Sequence, residues 1–209
     1  MPNAFSAAAL AAVGTAAAAA LASGCGGSGD GLVRAAEPAR SPPLERPAAG
    51  RVITVGNKPE GLALDPRTRL LAVGLTNPDR LALVDVDRPR VVRRLRLPEA
   101  PRHLRLAAPG GPVLVPSEKS DELVQVSLPG GRITTTTEVG RQPHDADADA
   151  RGRIFAGDEG GDTLSLVEDG RLVRQVAAPV QPGGVVTTTD RRRVAVVGVS
   201  ERALELYDT

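Results

Sequence analysis

One stretch of the chain reads as chemistry: Pro143-His144-Asp145-Ala146-Asp147-Ala148-Asp149 puts an imidazole beside three alternating carboxylates. Such groups can bind a divalent cation such as calcium, or a cationic ligand, and His144 can act as a general acid or base. A second acidic loop follows, Gly157-Asp158-Glu159-Gly160-Gly161-Asp162. If both segments open on one face, His144, Asp145, Asp158, Glu159 and Asp162 share one mouth, and Asp147 is a further ligand-binding candidate on the same strand as His144. Asp145, Asp158, Glu159 and Asp162 are then the expected metal ligands.

The alternation itself limits what can be bound. Residues two apart in an extended strand lie about 6.6 Å from one another, so three such carboxylates cannot all hold one ion. The D-x-D-x-D spacing also fails as an EF-hand, because Ala150 stands where glycine is needed and Ala156 where the bidentate glutamate belongs. Asp149 matches Asp65 of an earlier segment, which predicts a turn role for it. The competing reading is that loop acids are solvated and that Asp145 or Asp147 pairs with Arg105 or another arginine.

The elements that position these residues come from a repeat. Pro59, Pro101, Pro143 and Pro182 recur at intervals of 42, 42 and 39 residues, each opening an apolar run. Asp85, Ser127, Glu168 and Asp208 follow them at 25 or 26 residues, each closing a second apolar strand. A period near 40 residues with several short strands per copy predicts an all-β fold, a β-propeller of four-stranded blades. In the first copy the strands are expected at Leu62 to Asp65, Leu70 to Val73, Leu81 to Asp85 and Val91 to Leu97. Asp65-Pro66-Arg67-Thr68 and Asn77-Pro78-Asp79-Arg80 supply turn chemistry between them. Inner strands line a propeller's channel, so the first segment belongs at the channel. The second copy adds His103 and Arg105 on its inner strand and Glu118, Lys119 and Asp121 in its loop. About three and two-thirds blades fit between residues 51 and 209. That count leads to the expectation of a truncated ring, with an intact short protein as the alternative.

The segments Val55-Gly56-Asn57-Lys58-Pro59-Glu60-Gly61-Leu62-Ala63-Leu64-Asp65-Pro66 and Val139-Gly140-Arg141-Gln142-Pro143-His144-Asp145 resemble the YVTN-type repeats of YncE-like propellers. The second and fourth copies lack the Val-Gly approach and rest on spacing. The resemblance implies a propeller over residues 51 to 209 and leaves the ligand open. Related propellers include lactonases and a lyase, which keeps a metal-dependent enzyme with His144 in its site as the alternative to a noncatalytic binding or scaffold module. No ligand set carries over residue by residue. No nucleophile elbow is present, and Ser117, Ser120 and Ser165 have no local partner that marks them as activated.

Before the repeats, an alanine-rich run from Ala7 to Ala22 leads into Ser23-Gly24-Cys25, which resembles a bacterial lipobox. Residues 1 to 25 then form a signal peptide ending at a lipidated Cys25, and residues 26 to 50 a Gly-, Pro- and Ala-rich tether. The implied location is the outer face of the cell membrane. Met1 to Ser6 lacks the basic residues expected of a signal, which points to a start upstream. Cys25 is the only cysteine, so no disulfide is available.

Composition narrows the partners. The formal charge is +1, Lys58 and Lys119 are the only lysines, and the aromatics are Phe5, Phe155 and Tyr207. With no basic block and few stacking rings, nucleic acid is not the expected partner. A protein, peptide or small-molecule ligand at the channel mouth is.

Overall fold

The computed structural model describes Pro43, Glu45, Arg46 and residues 49–209. The signal segment, Cys25 and most of the tether lie outside the described residues. The repeats fold into a β-propeller of three four-stranded blades and one three-stranded blade, each an antiparallel meander. Blade 1 comprises β1 (Pro59–Leu64), β2 (Leu70–Leu75), β3 (Arg80–Asp85) and β4 (Arg90–Arg96). Blade 2 comprises β5 (Arg105–Leu106), β6 (Val113–Ser117), β7 (Glu122–Ser127) and β8 (Arg132–Glu138). Blade 3 comprises β9 (Pro143–Ala148), β10 (Ile154–Asp158), β11 (Thr163–Glu168) and β12 (Arg171–Ala177). Blade 4 comprises β13 (Pro182–Thr187), β14 (Arg193–Gly198) and β15 (Ala203–Asp208).

The period-2 alternation of each middle strand feeds two cores at once. In β6, Val113 and Val115 face blade 1, where they meet Ala72, Leu81 and Leu83. Leu114 points the other way, to Ala146, Ala148 and Ile154 of blade 3. In β10, Ile154 and Ala156 join that second core while Phe155 packs on Val185, Val194 and Val196 of blade 4. Ile53 and Val55 lie on the opposite face of blade 1, against Val73, Leu75 and Val84.

Two expectations change. The inner strand of blade 1 begins at the anchoring proline and stops before Asp65, whose carboxylate instead closes the turn. It accepts the Arg67 and Thr68 amides and the Thr68 hydroxyl, and it reaches across to the Gly110 amide of blade 2 at 2.8 Å. In blade 2 the inner strand shrinks to two residues, because the His103 amide donates to the His144 carbonyl of blade 3 rather than to β6. The charge is also less even than the composition implies: Arg90, Arg93, Arg94 and Arg96 are all exposed on β4.

Candidate functional site

The anchoring proline fixes the site's geometry. Pro59, Pro101, Pro143 and Pro182 pair across to Leu75, Ser117, Asp158 and Gly198, so the residue after each proline stands beside the residue after each second strand. The first set is Glu60, Arg102, His144 and Gly183, and the second is Thr76, Glu118, Glu159 and Val199. Five of these eight positions are ionisable, and in blades 2 and 3 a basic residue of the first set, Arg102 or His144, stands beside an acidic residue of the second, Glu118 or Glu159.

The resulting chain of contacts crosses all four blades. Arg102 Nη1 lies 3.0 Å from Glu60 Oε1, and its Nε lies 2.9 Å from Glu118 Oε1. The same Glu118 oxygen is 2.9 Å from His144 Nδ1, which is 2.8 Å from Glu159 Oε2. The other Glu159 oxygen accepts from Gln181 Nε2 at 2.7 Å, and Gln181 accepts from the Ser200 hydroxyl. His103 stands edge-on to His144 with ring centroids 4.6 Å apart. The side chains at the centre are shielded, with exposures of 7% for His144, 3% for Glu159 and 14% for Glu118.

Electrostatics follows from this packing. Burial pushes the His144 imidazolium down, but the hydrogen bonds to Glu118 and Glu159 outweigh it and hold the group up at about 9. Burial alone would raise Glu159, yet the bonds from His144 and Gln181 hold it below the usual carboxylate range. His103 is driven down by burial and by the charge of His144. His144 is therefore a cation at neutral pH, suited to holding an ion pair and poorly matched to general-base work near pH 7.

Of the acids expected as metal ligands, only Glu159 meets His144. Asp145 Oδ2 accepts the Val185 amide at 2.9 Å, with Arg105 no closer than 3.9 Å. Asp147 Oδ2 accepts the Thr187 amide and hydroxyl at 2.8 and 2.9 Å. The alternating carboxylates thus grip alternate amides of the next blade's inner strand. Asp158 is sealed beneath the loop on Thr163 and Ser165. Asp162 accepts the Gln181 amide at 2.8 Å, as Asp121 accepts that of Gln142 one blade earlier. Asp149 caps its turn through the Arg151 and Arg153 amides.

Glu118, part of the neighbouring loop, completes a triad in which one ligand atom each of Glu118, His144 and Glu159 lies within 4.8 Å of the other two. Glu60, Arg102 and Gln181 escaped the sequence reading. The signal for two of them is present, since Glu60 and Arg102 occupy the position of His144 in their own repeats. Next to the triad, Glu60, Arg102 and Glu118 also line a cleft of about 730 Å³ between blades 1 and 2. Both lysines of the chain, Lys58 and Lys119, stand on its wall with Asn77 and Asp79.

No family model matches the chain, and no curated protein matches it. Solved structures do. The chain is similar to hydrazine synthase of Kuenenia stuttgartiensis, at 16% identity and a TM-score of 0.68, over 78% of this chain and 49% of that one. It is also similar to a functionally unknown protein from Desulfotomaculum acetoxidans, at 14% identity and a TM-score of 0.67, over 79% of this chain and 56% of the other. The likeness is one of fold. The chain spans about half the length of these structures.

Proposed function

We propose that this chain is a noncatalytic binding module of the YVTN-type propeller group. It is exported, held on the outer face of the cell membrane through a lipidated Cys25, and meets a protein or peptide ligand at the rim of blades 1 to 3. The observation that carries this reading is the run of contacts from Glu60 through Arg102, Glu118, His144 and Glu159 to Gln181, which ties the blades together beside an open cleft. Shielded, closely packed ionic groups make a rigid floor, and exposed groups beside it are free to contact a ligand. Lys58, Lys119 and Asp79 give that cleft both signs of charge, which suits an extended peptide carrying charged side chains of both kinds.

Selection of displayed peptides on the immobilised chain tests this. Enriched peptides should lose at least tenfold in affinity to the Lys58→Glu, Lys119→Glu double variant, whose substitutions leave the buried network intact. Failure to enrich any peptide, or equal binding by the double variant, rejects the rim as the recognition face.

A further inference from the structure

We propose that Glu118, His144 and Glu159 bind one first-row divalent cation, zinc being the best match, at the junction of blades 2 and 3. The inference is independent of what occupies the cleft. Three observations carry it. First, one ligand atom from each residue lies within 4.8 Å of the other two, and the three come from two blades and three separate segments. Second, two carboxylate oxygens converge on one imidazole nitrogen, at 2.9 and 2.8 Å. A single N–H cannot point straight at both, so one shielded acceptor always receives a poor hydrogen bond. An ion at that point serves both oxygens and the nitrogen.

Third, acidic groups outnumber the guanidinium around the imidazole: Glu60, Glu118 and Glu159 gather about His144 with only Arg102 among them. A divalent ion held by the neutral imidazole, with any Nδ1 proton released to water, brings these five groups to electrical neutrality. A hydrogen bond from Gln181 to Glu159 and an ion pair of Arg102 with Glu118 already hold the carboxylates in place, the role that outer partners play around metal ligands. One nitrogen and two carboxylate oxygens favour zinc or a neighbouring transition metal over calcium, which takes oxygen ligands throughout. Tetrahedral ligands on bonds of about 2.0–2.2 Å stand about 3.3–3.6 Å apart, so His144 Nδ1 must draw back from each carboxylate oxygen by roughly half an ångström. Three protein ligands leave the ion a position for water or a ligand group.

The test uses the full chain after treatment with chelator. Titration with zinc, and with cobalt as its spectroscopic stand-in, should show one site per chain at micromolar affinity or better, with calcium and magnesium failing to compete. Glu118→Gln and Glu159→Gln should each weaken zinc at least tenfold while the far-ultraviolet circular dichroism stays that of a β protein. Absence of a one-to-one site, or unchanged affinity in both variants, overturns the proposal. Should the variants misfold, manganese added to the labelled wild-type chain decides the matter. Paramagnetic broadening centred on the amides of Glu118, His144 and Glu159 supports the site, and broadening centred elsewhere refutes it.

Discussion

Asp158 has no exposed surface, and burial pushes its carboxyl up to about 6 despite hydrogen bonds from Ser165 and Thr163. Its Oδ1 has no hydrogen-bond partner among the described residues, which explains why those bonds fall short. Asp65 also has no exposed surface but lies at a shallower turn, where burial raises its carboxyl less, and amides of Arg67, Thr68 and Gly110 with the Thr68 hydroxyl bring it down to about 2. The two acids therefore act in opposite directions on stability. For Asp65 the folded form ionises first, so its contribution is present above pH 3.8 and fades as pH falls towards 2. For Asp158 the unfolded form ionises first, so raising the pH from 3.8 through 6 favours unfolding, by on the order of 3 kcal/mol once complete. Asp158→Asn should remove that slope. Urea unfolding of the two proteins should show wild type losing ground to the variant between pH 4 and 7 and a constant gap above it. A gap that does not change with pH contradicts the assignment.

At the scale of the strand, β9 shows how one pattern serves two chemistries. Alternate residues point to opposite faces, so His144, Ala146 and Ala148 turn towards blade 2 while Asp145 and Asp147 turn towards blade 4. From sequence, an acid at every second position suggests an ion. The same two-residue step is the spacing at which one strand face reaches alternate amides of a neighbour, here Val185 and Thr187. Removing Asp147 leaves the Thr187 amide without its acceptor and its hydroxyl with only the Ala148 carbonyl at 3.3 Å, and hydrogen bonds to charged groups contribute about 1.5–3 kcal/mol each. Asp147→Ala should therefore destabilise the fold by about 2–4 kcal/mol, and the Thr187 amide should exchange with solvent faster. Zinc affinity should stay within about twofold of wild type, because the triad lies on the other face. Loss of zinc binding with stability unchanged would reverse the two roles.

Across the whole molecule, the fold was legible because every blade must bury the same strand positions, and that demand prints a period on the sequence. The candidate site was legible only in part. Glu118 meets His144, and Arg102 meets Glu60, through the offset between neighbouring blades, which no single repeat encodes. The proposed membrane anchor belongs to this scale too, because it would decide where the rim faces. Membrane association alone is an ambiguous readout, since Leu62, Leu64, Leu204 and Leu206 are 63%, 47%, 61% and 55% exposed and can hold the chain to apolar surfaces unaided. Covalent chemistry separates the two causes. A thioether-linked diacylglycerol needs the Cys25 sulfur, and two acyl chains suffice for stable anchoring where one is marginal. Cells fed labelled palmitate should therefore label the wild-type chain and leave Cys25→Ser unlabelled, whichever fraction the variant enters. Label retained by Cys25→Ser, or missing from the wild type, removes the anchor and with it the expectation that the rim is displayed at a membrane surface.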